Sequence, residues 1–470
     1  MNALVDAVTA LLHRLDTATT GVVSIELNQR LTTSMLLLTM RSFADAGPRM
    51  ALIDASTDSP AATIGIGVAA TITAATATDA QNAVRQILSQ DQRRVVLLAV
   101  PFAPASTPSR SVWAPRLWWR QGPTGNAVVG VDIADGDVDA ARMLLIHELR
   151  AARSTSPLAR KAGEGLGVRA PSSVTTSKIN DNNSNDNNND AQRSLPRTDV
   201  PDRIGHKDAV HDALAAIDRG EVSKVVLARQ STIALAMHGS QRDDVLAGLL
   251  AREQRGTAYL IVDDADNAFF GCSPEQLCVR RGRRLSVDAL AGTAARGRDD
   301  VDDGEIADRL RADGKERREH AAVVDAVVEA LRPLSVVLDV ASAPDIVRLG
   351  RVQHLYTPIA ATLVDDAPVF DALHPTPAVA GTPRTAAVSL IAVLEPFVRG
   401  LYAGFVGVAD ADGETLTVSL RCGFAHDDVV EVYAGSGLVA GAVAEREWLE
   451  LDRKASLMLE VLADVGGHDA

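Results

Sequence analysis

Apolar residues recur along this chain at two spacings, one of strands and one of helices. Residues 224–229, Lys-Val-Val-Leu-Ala-Arg, form a short run rich in β-branched side chains, the pattern of a strand. Period-two alternation sends Lys224, Val226 and Ala228 to one face and Val225, Leu227 and Arg229 to the other. Similar runs predict strands over 21–27, 35–40, 50–53, 63–72 and 95–100, with helices over 1–16, 79–88 and 138–153. After residue 200 the pattern predicts helices over 206–218, from Ser273, over 304–331, around 354–363 and over 444–463. Strands are expected near 224–229, 258–262, 268–271, 285–291, 336–340, 404–409, 416–421 and 429–434. Mixed elements without a regular βαβ rhythm point to an α+β or layered α/β architecture.

Between about 163 and 200 the periodicity stops. Residues 180–190 are only Asn, Asp and Ser, a composition that cannot bury enough apolar surface to offset chain entropy, so this stretch is expected to be a disordered loop. It separates residues 1–162 from 201–465, where polar residues are set inside apolar runs. The net charge of −14 argues against a nucleic-acid or anionic-membrane partner, although an acidic protein can still carry a basic pocket for an anion. Cys272, Cys278 and Cys422 are too few and too badly spaced for a disulfide framework or a zinc site, and read as reduced packing residues. No apolar run is long enough to span a bilayer, and a cytoplasmic location is expected. Gly65-Ile66-Gly67 reads as a bend, and Trp113, Trp118 and Trp119 as a local hydrophobic anchor.

The polar residues inside apolar patterns are the candidates for chemistry. Lys224 opens an apolar strand face, either as a strand-end charge reaching water or as a buried amine. Ser273-Pro274-Glu275-Gln276 reads as a helix start, with Ser at the N-cap and Glu275 an acid favoured by the helix dipole. Glu319 shares its helical stripe with Val323 and Val327, so its carboxylate is expected to point inward, where it needs a cation or a donor. Glu447, Glu450, Lys454, Leu457 and Val461 form a second such stripe. Two helices that each aim a carboxylate along an apolar stripe suit a divalent metal, and with only two carboxylates Mg²⁺ fits better than Ca²⁺ or zinc. Gly435-Ser436-Gly437 reads as a glycine turn after a strand, or as backbone N–H groups open to an anion.

Taken together, these residues resemble the chorismate-utilising enzymes, and among them the isochorismate synthases. The resemblance rests on Lys-Val-Val-Leu-Ala-Arg at 224–229, Phe-Gly-Cys-Ser-Pro-Glu at 270–275 and Ala-Leu-Ala-Gly-Thr at 289–293. Further matches are Glu319-His320, Val-Gln-His-Leu at 352–355, His-Pro-Thr-Pro at 374–377, Arg-Gly-Leu-Tyr-Ala-Gly at 399–404 and Glu-Trp-Leu-Glu at 447–450. It covers roughly 222–462, and residues 1–160 look like the family's more variable N-terminal part. Ala380-Gly381 and Gly435-Ser436-Gly437 stand where other members can have Gly-Gly and Gly-Ala-Gly.

The resemblance implies a single large sandwich of antiparallel sheets wrapped by helices, chorismate as substrate and Mg²⁺ as cofactor. It implies that Lys224 deprotonates a water attacking ring C2 while Glu275 protonates the departing C4 hydroxyl. Burial has to lower the amine and raise the acid, against a dipole contribution of about 0.3–1 kcal/mol that favours ionised Glu275. Glu319 and Glu450 resemble the metal ligands, and Gly292, Thr293, His374, Arg421, Gly435, Gly437 and Lys454 the substrate-binding residues. Relatives that deliver an amine lack lysine at the place of Lys224, so no glutamine-amidotransferase subunit is expected. Salicylate synthases, which go on to eliminate pyruvate, usually lack the run at His374. A salicylate synthase and a non-catalytic chorismate-binding relative are the alternatives.

Overall fold

Strand Thr257–Val262 illustrates how the sequence builds the fold. Ala258, Leu260 and Val262 enter one hydrophobic core and Tyr259 enters another, so both faces of the strand are covered. Strand Ala268–Ser273 beside it behaves alike, with Phe269 in one core and Phe270 in the other. This double burial explains why such strands read as continuous apolar runs and not as an alternation.

The computed structural model describes residues 195–467 almost without a break. From the first third it describes residues 10–11, 22–26, 49–54, 61–66, 70–72, 77–92, 94–102, 112–121, 128–132, 141 and 143–144. The elements expected over 35–40, most of 1–16 and 138–153, and the Asn-rich stretch up to 194 lie outside the described residues.

Among the described residues, two antiparallel sheets, one of twelve strands and one of ten, carry the fold. One core holds side chains from both sheets, among them Leu227, Tyr259 and Phe269 of the larger and Leu277, Val287 and Phe405 of the smaller. The second core lies between the other face of the larger sheet and the helices Gln241–Arg252 and Ala444–Gly466. Helix Gly314–Leu331 packs on strands Arg284–Ala295 and Val352–Leu363 of the smaller sheet. Strand Arg49–Asp54 pairs with Thr257–Val262, and Val96–Val100 with Phe405–Asp410, so the first third of the chain supplies strands to both sheets. The three cysteines are free and buried.

The chain passes between the sheets at two neighbouring corners. Ser273 ends a strand of the larger sheet and Gln276 begins one of the smaller; Val418 ends a strand of the smaller and Cys422 begins one of the larger. The corners bond to each other, Val418 N–H to Glu275 O at 3.0 Å and Cys272 N–H to Arg421 O at 3.3 Å.

Five expected elements are corrected. The strand expected over 63–72 is two, Ala62–Ile66 paired in the larger sheet and Ala70–Ile72 paired in the smaller, because each joins a different set of strand partners. No helix starts at Ser273, because the Ser-Pro-Glu-Gln signature falls on the first of these corners. Residues 352–363 form a strand, whose proline is tolerated for a local reason: Pro358 falls between edge strands Ser335–Val340 and Asp345–Arg348, where no ladder donor is required. The helix expected over 304–331 is two, Asp300–Ala312 and Gly314–Leu331, because Asp313 leaves the helical region and its carboxylate caps Lys315 N–H and Glu316 N–H. Gly435 to Gly437 form no turn but lie inside strand Val429–Leu438.

Candidate active site

Lys224 begins strand Lys224–Ala234, which pairs with Val429–Leu438 along its length. Its side chain is 1% exposed, which excludes the strand-end charge reaching water. Nζ donates to Glu319 Oε1 at 3.0 Å. The two meet across Gly437, whose bare Cα makes room: a Cβ there would stand 2.6 Å from Glu319 Oε1 and 3.2 Å from Lys224 Cε.

The backbone of this strand orients its neighbour. Val226 N–H goes to Ala380 O, Val226 O accepts from Arg399, and Ala228 N–H goes to Glu395, all away from Val429–Leu438. By the alternation of an antiparallel ladder, the cross-strand partners Gly437 and Gly435 therefore turn their N–H groups to the other edge. On that edge strand Cys422–His426 stops pairing at Tyr433, so both N–H groups face the cavity described below. Lys454 Nζ, bonded to Gly435 O at 2.8 Å, marks the same edge. The buried Glu395–Arg399 ion pair that fixes this arrangement is structural.

Glu275 occupies the corner between the sheets and is 8% exposed. With no helix behind it, the dipole that opposed its protonation is absent. Burial pushes its pKa up to about 7, against the opposing pull of Lys224, Thr376, Lys454 and Arg421. Thr376 Oγ1 donates to Glu275 Oε1 at 3.4 Å.

A group of carboxylates lies where helices Gly314–Leu331 and Ala444–Gly466 begin. Glu319 is half-buried on the first, as its stripe with Val323 and Val327 indicates. On the second, Lys454 Nζ stands 2.6 Å from Glu450 Oε1. Burial works to raise the Glu450 pKa, but Lys454 beside it holds the carboxyl below its ordinary value. Glu447, one turn earlier, is 3% exposed and its Oε2 has no hydrogen-bond partner. Burial, with the like charges of Glu450 and Glu319, raises its pKa to about 7. Lys315 Nζ lies 3.3 Å from Glu316 Oε1 and 3.7 Å from Glu447 Oε1.

A single cavity, enclosing about 760 Å³ with its open mouth, gathers Lys224, Glu275, Glu319, Gly292, Thr293, Arg421, Gly435, Gly437 and Lys454. Gly292 has φ +77° and sits at a register shift of strand Arg284–Ala295, a bulge that carries Thr293 to the wall. Thr293 N–H donates to Glu316 Oε2 at 2.9 Å, and its hydroxyl meets His354 Nδ1 at 3.0 Å. Tyr402 and Tyr433, stacked at 5.2 Å, close one side. The Arg421 guanidinium has no hydrogen-bond or ion-pair partner among the described residues, and burial draws its pKa down.

Of the expected site residues, Glu450 stays behind the cavity wall, against Lys454, and His374 lies apart from the site altogether. It does not line the cavity: Nε2 donates to Pro101 O at 3.0 Å, the ring packs edge-on against Phe405, and burial lowers its pKa to about 4. Thr376, two residues on, is the member of that run that touches the site. Glu447, His354 and Thr376 were given no role in the sequence reading. Glu447 alone carried a signal, as a charged residue on the apolar stripe of its helix. His320 is a packing residue, bonded to Ala291 O and Thr357 Oγ1.

A family model described as "Chorismate binding enzyme" matches residues 164–463. The chain is 38% identical over 262 residues to the isochorismate synthase MenF of Escherichia coli, a match covering 54% of this chain and 59% of that protein. It is 40% identical over 265 residues to the salicylate biosynthesis isochorismate synthase of Pseudomonas aeruginosa, covering 55% of each. The matched stretch thus spans little more than half the length of these relatives. The solved structure of MenF, the menaquinone-specific isochorismate synthase from Escherichia coli, superposes with TM-score 0.76 at 26% identity, covering 98% of this chain and 100% of that one. Anthranilate synthase component I from Streptococcus pneumoniae shares the fold, with TM-score 0.60 at 16% identity over 94% of this chain and 93% of that one.

Proposed function

The chain belongs to the chorismate-binding enzymes, and from that premise we propose that it is an isochorismate synthase. Water adds at ring C2 of chorismate while the C4 hydroxyl leaves, and the ring double bonds shift between them. One water is taken up and one released. Lys224 takes the proton of the attacking water, and protonated Glu275 gives its proton to the departing hydroxyl. After product leaves, Lys224 returns a proton to solvent and Glu275 regains one. The observation that carries this reading is that a buried lysine and a carboxyl with a pKa near 7 line the same cavity.

Arg421, Lys454 and the N–H groups of Gly435 and Gly437 hold the substrate's two carboxylates, since a dianion needs a positive pocket within an acidic protein. The carboxylates fit a divalent cation: Glu447 keeps a buried oxygen without a partner, and Glu319, Glu447 and Glu450 lie within reach of one another's charge. Among the described residues no three acidic, histidine or cysteine side chains converge as a closed metal cage. A cation held by Glu319 and Glu450 with room for water and substrate is the Mg²⁺ pattern. When bound, it supplies positive charge to the ring carboxylate.

Product analysis by mass and NMR after incubation with chorismate and Mg²⁺ tests the reading, with Lys224→Gln in parallel. Isochorismate from the wild type and none from the variant is expected. Pyruvate release would assign a salicylate synthase, and absence of turnover at saturating Mg²⁺ a non-catalytic relative. Likeness to the menaquinone-specific structure over 98% of the chain supports menaquinone biosynthesis over a siderophore as the destination of the product.

A further inference from the structure

Lys315 stands at an unusual place for a cation. It is the second residue of helix Gly314–Leu331, where the helix dipole favours acids and disfavours an ammonium. Its Nζ lies between Glu316 of its own helix and Glu447 of helix Ala444–Gly466, at 3.3 and 3.7 Å, and it is 32% exposed. The first is a salt bridge with hydrogen-bond character and the second a charge contact beyond hydrogen-bond distance, whereas Lys454 is fixed to a backbone carbonyl at 2.8 Å. The charges of Glu447, Glu316, Glu319 and Glu450 all act on Lys315, so its pKa is raised although burial alone would lower it. Glu447, the buried acid it faces, retains an oxygen with no donor. The ammonium therefore offsets the charge of Glu447 without completing its hydrogen bonds.

We propose that Lys315 is an internal counter-cation of this carboxylate cluster, lowering its affinity for a divalent cation and so coupling cation entry to arrival of the anionic substrate. This rests on the reading that Glu319 and Glu450 hold such a cation. Repulsion between the ammonium and the incoming ion keeps binding weak until the substrate's negative charge joins the site. By linkage, the substrate then tightens cation binding as much as the cation tightens substrate binding.

The sign of one change separates this role from that of a tether between two helices. Removing the positive charge makes the cluster more negative and strengthens cation binding, whereas removing a tether lets the helices part and weakens it. The experiment is calorimetric titration of the full-length protein with Mg²⁺ alone, using wild type, Lys315→Met, Lys315→Arg and Glu450→Gln. Thermal melts with and without Mg²⁺ accompany it. Lys315→Met is expected to bind Mg²⁺ about five- to tenfold more tightly than wild type. It should also melt lower without the ion and gain more on its addition, while Lys315→Arg stays close to wild type. Unchanged or weaker Mg²⁺ binding by folded Lys315→Met overturns the proposal. A wild type whose Mg²⁺ binding is indifferent to Glu450→Gln overturns the cation reading itself, and this proposal with it.

Discussion

Gly437→Ala is the smallest change that separates the site from the fold. Gly437 lies in an ordinary extended strand, so its backbone accepts alanine, and loss of glycine's chain entropy favours folding by about 0.4–1 kcal/mol. The added methyl, however, would stand 2.6 Å from Glu319 Oε1 and 3.2 Å from Lys224 Cε. For ordinary contact at 3.4 Å the carboxylate must retreat by about 0.8 Å. Both atoms belong to flexible side chains, so the fold can yield there while the 3.0 Å Lys224–Glu319 bond cannot persist unchanged. A displacement of that size at reacting groups costs about 10²-fold in rate. We therefore expect kcat/KM to fall about 10²-fold while stability stays within about 1 kcal/mol of wild type. Steady-state kinetics over a range of Mg²⁺, with chemical denaturation of the same samples, measures both. Wild-type kcat/KM in a folded Gly437→Ala protein would refute the placement of Lys224 and Glu319 in the chemistry.

Two further outcomes follow from the same geometry. Glu275→Gln should lower kcat by about 10²–10⁴. The acid works only when protonated, so wild-type kcat should decline as pH rises through about 7, and that limb should vanish from the variant's residual rate. The folded-state pKa lies above the ordinary 4.5, so this carboxyl's contribution to stability is complete below about 4.5 and lost by about 7. Denaturation should therefore find Glu275→Gln gaining on wild type across that window. Glu319→Gln and Glu450→Gln should each raise the Mg²⁺ concentration for half-maximal activity at least about tenfold with the fold intact; an unchanged Mg²⁺ dependence in both would remove them from the metal site.

What the sequence disclosed depended on the range of the interaction that decides each feature. The inward turn of Glu319 was legible because Val323 and Val327 lie on the same helix, and three/four spacing is a local property. Lys224 was legible as a choice between surface and interior, and its 1% exposure decides it. Glu275 was misread because Ser-Pro-Glu-Gln satisfies every local rule for a helix start. The corner is imposed instead by two sheets that residues 268–273 and 276–281 join separately. The strand at 352–363 was missed for the same reason, since three strand partners decide it. His374 and Thr376 differ by two residues in sequence, yet only Thr376 reaches Glu275, and no periodicity in so short a run distinguishes them. The long helix divides at Asp313, where a side-chain cap overrides a continuous helical pattern.

The central claim is that water attacks ring C2 as the C4 hydroxyl departs, with Lys224 and Glu275 exchanging the protons. Incubation with chorismate and Mg²⁺ in ¹⁸O-labelled water, followed by NMR and mass analysis of the product, tests it directly. The account predicts isochorismate carrying one solvent oxygen at the C2 hydroxyl, with no pyruvate released. Unlabelled isochorismate, which would require the hydroxyl to migrate within the substrate, would contradict it.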